Sequence, residues 1–353
     1  QSVRNEITGA IARTLSLAPA RSTGAVASHQ ATDDPRAYRL YLKGREFTTG
    51  TEREMDRAIT YFQEAIDLEP RYALAYAGLA QAYVTQCYLR GSERDERVEL
   101  ARAAVSQALA IDPNLAEAYT ASGLIKMTFD QDWLGAEADC QRGVALNPGN
   151  VVCLVGYGDF LLFNNRIPEA LRQYREAQER DPLSIGAFHD MAISYMIIKD
   201  YAQAEVYFKR AIDLNPNWTW GHIKLAKTYA HLGRTEEALA EAAVAEALLA
   251  GSGTPAARCW LAFTYARCGQ QDRARADLAD LRQRSADEYV DPSLYSVIHL
   301  GLNELEPAIA AFAESLAERS PNLVYYKIAP ALYLDALGED ARFQAMVQKI
   351  GFP

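Results

Sequence analysis

Cysteine is scarce. Five residues, Cys87, Cys140, Cys153, Cys259 and Cys268, make an odd number without a Cys-x-x-Cys pair. That argues against a disulfide framework or a zinc site, and the five read as small buried hydrophobes. Long apolar runs are missing too. The longest, Val151 to Phe163, carries Asp159 and two glycines and reads as a buried helix. No stretch reaches the ~18 apolar residues of a membrane span, and no secretory signal is visible. A basic excess is also lacking. Lys and Arg number 36 against 46 Asp and Glu, for a net charge of −10 and a pI near 5.2. Phosphate backbones and anionic lipids are held mainly by Lys and Arg, so general nucleic-acid or membrane-surface binding is disfavoured.

The chemical motifs are equally thin. His29, His189, His222, His231 and His299 are scattered, with no His-Glu-x-x-His arrangement. There is no phosphate-binding Gly-x-x-x-x-Gly-Lys loop and no Gly-x-Ser-x-Gly elbow. Gly251 to Ala256 matches Gly-x-Gly-x-x-Ala, but that motif needs a strand before it, and here a helical pattern precedes it. Asn217-Trp-Thr219 is a glycosylation triplet by coincidence. Carboxylates are abundant on polar helix faces, where solvation is their ordinary state. The segment therefore reads as non-enzymatic, with no cofactor and no metal.

What the sequence does contain is a period. Apolar residues make up 49% and charged residues 23%, ordinary for a folded soluble chain. Ala204, Phe208, Ala211 and Pro216 each have a counterpart 34 residues earlier, at Ala170, Tyr174, Ala177 and Pro182. Met191, Ala192 and Tyr195 map onto Leu225, Ala226 and Tyr229. A further shift of 36 lands on Leu261, Ala262, Tyr265, Gly269 and Ala274, with the extra residues in the loop at 251–254. Each unit is two amphipathic helices, A and B. Helix A carries apolar residues at unit positions 4, 7, 8 and 11. Helix B carries Ala, a large residue and Ala at 20, 24 and 27, so the axes approach closely and the large side chain fills the gap. Asn-Pro or Asp-Pro stops helix B. Gly233 and Gly269 lie between A and B, where a left-handed residue is favoured. Pro70, Pro113 and Pro148 close three earlier units, and Pro321 closes a weaker last one. The first unit has extra residues near Thr49–Thr51, and the second lengthens its hairpin around Cys87–Glu93.

The pattern resembles the tetratricopeptide repeat (TPR). The resemblance implies an all-α fold, a right-handed α-solenoid of tandem helix-turn-helix units, about eight of them over residues 35–321. Residues 1–17 put Val3, Ile7, Ile11 and Leu15 on one helical face, an end cap or the last helix of an upstream domain, and 18–34 are a loose linker. Gln1 is not a natural start, and the chain reads as an excised piece. Residues 322–353 form a capping segment, with Phe343, Met346, Val347 and Ile350 on one helical face. The stretches AYRLYLKGREF, DQDWLGAEADC, ERSPNLVYYKIAP and DARFQAMVQKIGFP, with VRNEITGAIARTL at the start, resemble the C-terminal repeat region of multidomain bacterial signalling proteins. In that group the upstream part is a Ser/Thr kinase, a class III nucleotide cyclase or a winged-helix DNA-binding domain. Ala341 stands where the family's closing run has Pro.

In such a superhelix the A helices line the concave face, and unit positions 2, 5, 9 and 12 are expected to point into it. These include Val155 and Asp159 in the fourth unit and His189, Ile193 and Met196 in the fifth. The sixth supplies Trp220, Ile223 and Lys227, and the seventh Phe263. So many apolar side chains in a groove mark a contact surface. Lys224 and Lys227 are placed to hold a carboxylate. The Asn clamp of chaperone-tail binders is absent, since Gly156, Asp190 and Lys224 occupy its position. The expected function is a protein or peptide scaffold, the sensory or interaction arm of a signalling protein. The alternatives are control of its own upstream domain, or homodimerisation. Direct nucleic-acid contact is not expected. The expected location is the cytoplasm, or the periplasm if a membrane span lies upstream.

Overall fold

The computed structural model of the protein describes residues 32, 34–47, 52–89, 94–249, 253–287, 289–332 and 335–352. The expected N-terminal helix at 1–17, nearly all of the linker 18–34, the insertion near Thr49–Thr51 and residues 250–252 lie outside them.

The described residues form an all-α array without a strand. Consecutive helices pair as antiparallel hairpins: α1 (Pro35–Glu46) with α2 (Glu52–Leu68), α3 (Ala73–Leu89) with α4 (Arg94–Ile111), and α5 (Ala116–Ile125) with α6 (Trp133–Leu146). Next come α7 (Val151–Phe163) with α8 (Ile167–Arg180), α9 (Ile185–Ile197) with α10 (Tyr201–Leu214), and α11 (Thr219–His231) with α12 (Thr235–Leu249). The last are α13 (Pro255–Arg267) with α14 (Gln271–Arg284), and α15 (Pro292–Gly301) with α16 (Leu305–Ala317). First helices also pack on their neighbours' first helices, α9 and α11 through Met196 and Thr228, so the hairpins stack side by side.

Local chemistry sets the boundaries. Asp112, Asp181 and Asn215 follow α4, α8 and α10, and their side-chain oxygens accept the N–H two residues on, at 2.9, 3.0 and 3.1 Å. The turn thus has its own hydrogen bond just where Pro forbids the helical one. Asn150, Ser184, Thr254 and Asp291 then cap the next first helices through their side-chain oxygens. Inside six hairpins a single left-handed residue reverses the chain: Gln131, Asn165, Lys199, Gly233, Gly269 and Asn303. Only two are glycine; the other four adopt φ of 55 to 62° despite a side chain.

The seam between paired helices is small-plus-aromatic. Ala170, Tyr174 and Ala177 on α8 and Ala204, Phe208 and Ala211 on α10 are all fully buried. Gly158 on α7 makes room for Tyr174: a Cβ there would sit 2.4 Å from the ring.

The chain after α16 does more than cover the last pair. Of the face expected on its final helix, α19 (Ala341–Ile350), Phe343, Met346 and Ile350 are buried and Val347 is half-buried, and Phe343 meets Phe312 of α16 at 5.2 Å between ring centroids. The connecting stretch, however, crosses the array. It comprises a 3-10 turn at Pro321–Tyr325 and the short helices α17 (Ala329–Leu332) and α18 (Asp335–Glu339). Arg94 of α4 donates to the carbonyls of Glu318 and Arg319 at 3.2 and 2.9 Å. Tyr325 packs edge-on against Phe163 of α7, α17 touches α9, and Phe352 packs at a tilt on Trp133 of α6, with ring centroids 4.6 Å apart. The segment from 318 to 352 therefore ties the eighth pair to the second, third, fourth and fifth.

Candidate functional site

A cavity of about 420 Å³ lies between the first helices and this crossing segment, and a second of about 220 Å³ shares many of its lining residues. The walls come from α3, α7, α9, α11, α13 and α15. Asn322, Tyr325, Tyr326 and Ala329 close one side.

Its polar groups are sorted by helix. On α7, Asp159 accepts the Tyr174 hydroxyl at 2.8 Å. Burial and the neighbouring Asp190 carboxylate hold the Asp159 carboxyl well above the ordinary carboxylate range, against the opposing pull of that hydrogen bond. On α9, His189 Nδ1 lies 2.7 Å from Asp190 Oδ1, and its ring stands edge-on to Trp218 at 5.5 Å. On α11, the Lys224 and Lys227 ammonium groups sit over the Trp260 ring of α13, at 4.0 and 4.3 Å from its centroid. Burial lowers Lys224 from its ordinary 10.5 to about 8. Burial and the adjacent Lys224 push Lys227 down as well. The indole face attracts both cations, and Trp220 adds a second face at 5.7 Å from Lys224.

Seven of the ten residues expected on the concave face line one of these cavities: Val155, Asp159, His189, Ile193, Trp220, Lys224 and Lys227. The other three do not. Met196 is buried, its sulfur 3.6 Å from Thr228 Oγ1 on the neighbouring first helix. Ile223 is fully enclosed, and Phe263 is buried against His231 and Trp260. In the fifth unit positions 5 and 6, His189 and Asp190, both face the cavity. In the sixth and seventh, position 6 faces it in place of position 5: Lys224 and Trp260 line it, whereas Ile223 and Cys259 sit in the seam. Trp260 and Tyr325 were not among the residues singled out from sequence; a Trp at the position already held by Asp190 and Lys224 was the available signal for the first.

Cys259 donates its thiol to the Leu294 carbonyl at 3.1 Å, and burial raises its pKa. It is a structural thiol in this setting. Among the described residues no group of three or more His, Cys, Asp or Glu is arranged to hold a metal ion, and no helix is long and apolar enough to cross a membrane.

Residues 199–247, which span α10, α11 and α12, match the family model of the tetratricopeptide repeat. That stretch is a tetratricopeptide repeat, and the helix pairs on either side of it form the same kind of hairpin. No curated protein matches the chain. Among solved structures, this repeat array is similar to the human IFIT1 dimer with m7Gppp-AAAA, at 14% identity and a TM-score of 0.56, over 76% of this chain and 69% of that one. It is also similar to PilF of Pseudomonas aeruginosa, at 20% identity, a TM-score of 0.48, and 67% and 99% coverage. A tetratricopeptide-repeat protein of Parabacteroides merdae aligns at 17% identity and a TM-score of 0.48, over 76% of this chain and all of that one (100%). At such identities the likeness concerns the repeat fold.

Proposed function

We propose that this array is a protein-interaction scaffold whose concave face receives a polypeptide segment, and that it serves as the interaction arm of a larger signalling protein. One observation supports this most directly. The array already holds a non-repeat stretch of polypeptide, the chain's own residues 318–332, through packing of Tyr325 on Phe163 of a first helix and through hydrogen bonds from Arg94 of α4 to main-chain carbonyls. Main-chain carbonyls are common to every peptide, so these contacts are not tied to one sequence. Aromatic anchors at the centre of a groove supply most of the affinity in peptide recognition, and Trp220 is placed for that role. In this reading the resident segment competes with the partner, and its displacement is what an attached output domain would sense. No catalytic step is assigned to the segment.

Selection of peptides from a displayed library on the full chain tests the reading. Trp220→Ala is expected to weaken selected binders by about tenfold or more, equivalent to about 1.4 kcal/mol, with the circular dichroism spectrum unchanged. Tyr325→Ala is expected to tighten them, because it loosens the resident segment. Binders indifferent to both substitutions would place the partner on another face.

A further inference from the structure

The cavity beneath the crossing segment has a chemistry that a polypeptide partner does not explain. Its carboxyl groups and its ammonium group stand apart. Asp159 and Asp190 project from α7 and α9, whereas Lys224 projects from α11, and no ion pair joins Lys224 to either acid. The acids bond to Tyr174 and His189. The Lys224 ammonium meets indole faces. Carboxyl and ammonium groups that face one cavity without a bridge are costly to keep charged, because each loses water and gains little from the other. A molecule that carries both charges at a fixed separation would relieve both ends at once. The volume of about 420 Å³ is in the small-ligand range. Trp218, Trp220 and Trp260 also line it, giving an apolar body rigid faces to lie against.

We propose that this cavity binds a small zwitterion of the α-amino-acid class, its carboxylate directed to Lys224 and its ammonium to Asp159 and Asp190. A ligand bearing only a carboxylate leaves the acids unpaired, and one bearing only an ammonium leaves the lysine unpaired. Both should bind more weakly. The crossing segment forms one wall through Asn322 and Tyr325, so an occupied cavity would hold that segment in place. The site does not depend on the scaffold reading: an array that captures no peptide could still bind the small molecule.

The test uses the full chain, each standard L-amino acid at millimolar concentration, thermal melting as the screen and calorimetry for those that shift it. The best binder is then compared with its N-acetyl derivative, which mimics a peptide C-terminus, and its amide, which mimics a peptide N-terminus. The expected result is a raised melting temperature with one or a few amino acids, and about tenfold or greater weakening for each derivative. Lys224→Met and Asp159→Asn should each remove the binding. The comparison of derivatives uses the unaltered chain, so it decides the matter even if a variant fails to fold. Absence of any shift or heat with all the amino acids overturns the proposal. So does an N-acetyl derivative that binds as tightly as its parent, since the acids would then play no part and the site would be one for a peptide C-terminus.

Discussion

Tyr325 meets Phe163 edge-on, with ring centroids 4.8 Å apart and planes at 80°. One residue belongs to the segment that follows the repeats; the other ends the fourth first helix. The array is therefore held by a contact between parts of the chain far apart in sequence as well as by its neighbour-to-neighbour seams.

That contact should be measurable as a coupling. Phe163→Ala and Tyr325→Ala are each expected to destabilise the chain by about 1–3 kcal/mol in urea unfolding. The double variant should lose less than the sum, by about 0.5–1.5 kcal/mol. Strict additivity would mean that the rings do not meet in solution.

Lys224 carries a sign that can be worked out. Its folded pKa is lowered from 10.5 to about 8, so the unfolded chain binds its proton more tightly. The resulting penalty is fully present below about pH 8 and fades as pH rises toward 10.5. Lys224→Met should therefore stabilise the chain by about 1–3 kcal/mol at neutral pH, with the gain shrinking between those limits. A gain that stays constant from pH 7 to 10 would show that the ammonium is not the source.

Gly158 tests the seam. A Cβ there would lie 2.4 Å from Tyr174, so Gly158→Ala is expected to cost about 1–3 kcal/mol through overpacking. Adding Tyr174→Leu should recover part of that loss. If Gly158→Ala instead melts like the parent chain, the ring has room that the packing does not indicate.

The repeat was legible because its signals are local. Pro182 and Pro216, the Ala-aromatic-Ala triplets of α8 and α10, and Gly233 and Gly269 each act within a turn or one helix pair. The left-handed turns at Asn165 and Lys199 were less visible, since no glycine marks them. The cavity lining was only partly legible for a different reason. Positions 5 and 6 of a first helix differ by about 100° around the axis, and packing against the next unit decides which one turns inward. Ile223 and Lys224 show the outcome: the isoleucine fills the seam and the lysine faces the cavity. Tyr325 lies outside the 34-residue register, so no periodic argument could reach it. Its place depends on Phe163 and on the Arg94 contacts to Glu318 and Arg319, which exist only once the array has curved.

An ordinary stack of repeats loses its ends first, because a terminal unit has one neighbour instead of two. Here the arm from 318 to 352 fastens the eighth pair to pairs in the first half of the stack. Fraying at that end would mean breaking contacts near the middle as well. Amide protons of α15 and α16 should accordingly exchange with deuterium about as slowly as those of α9, behaviour closer to that of one cooperative unit than of a string of independent ones.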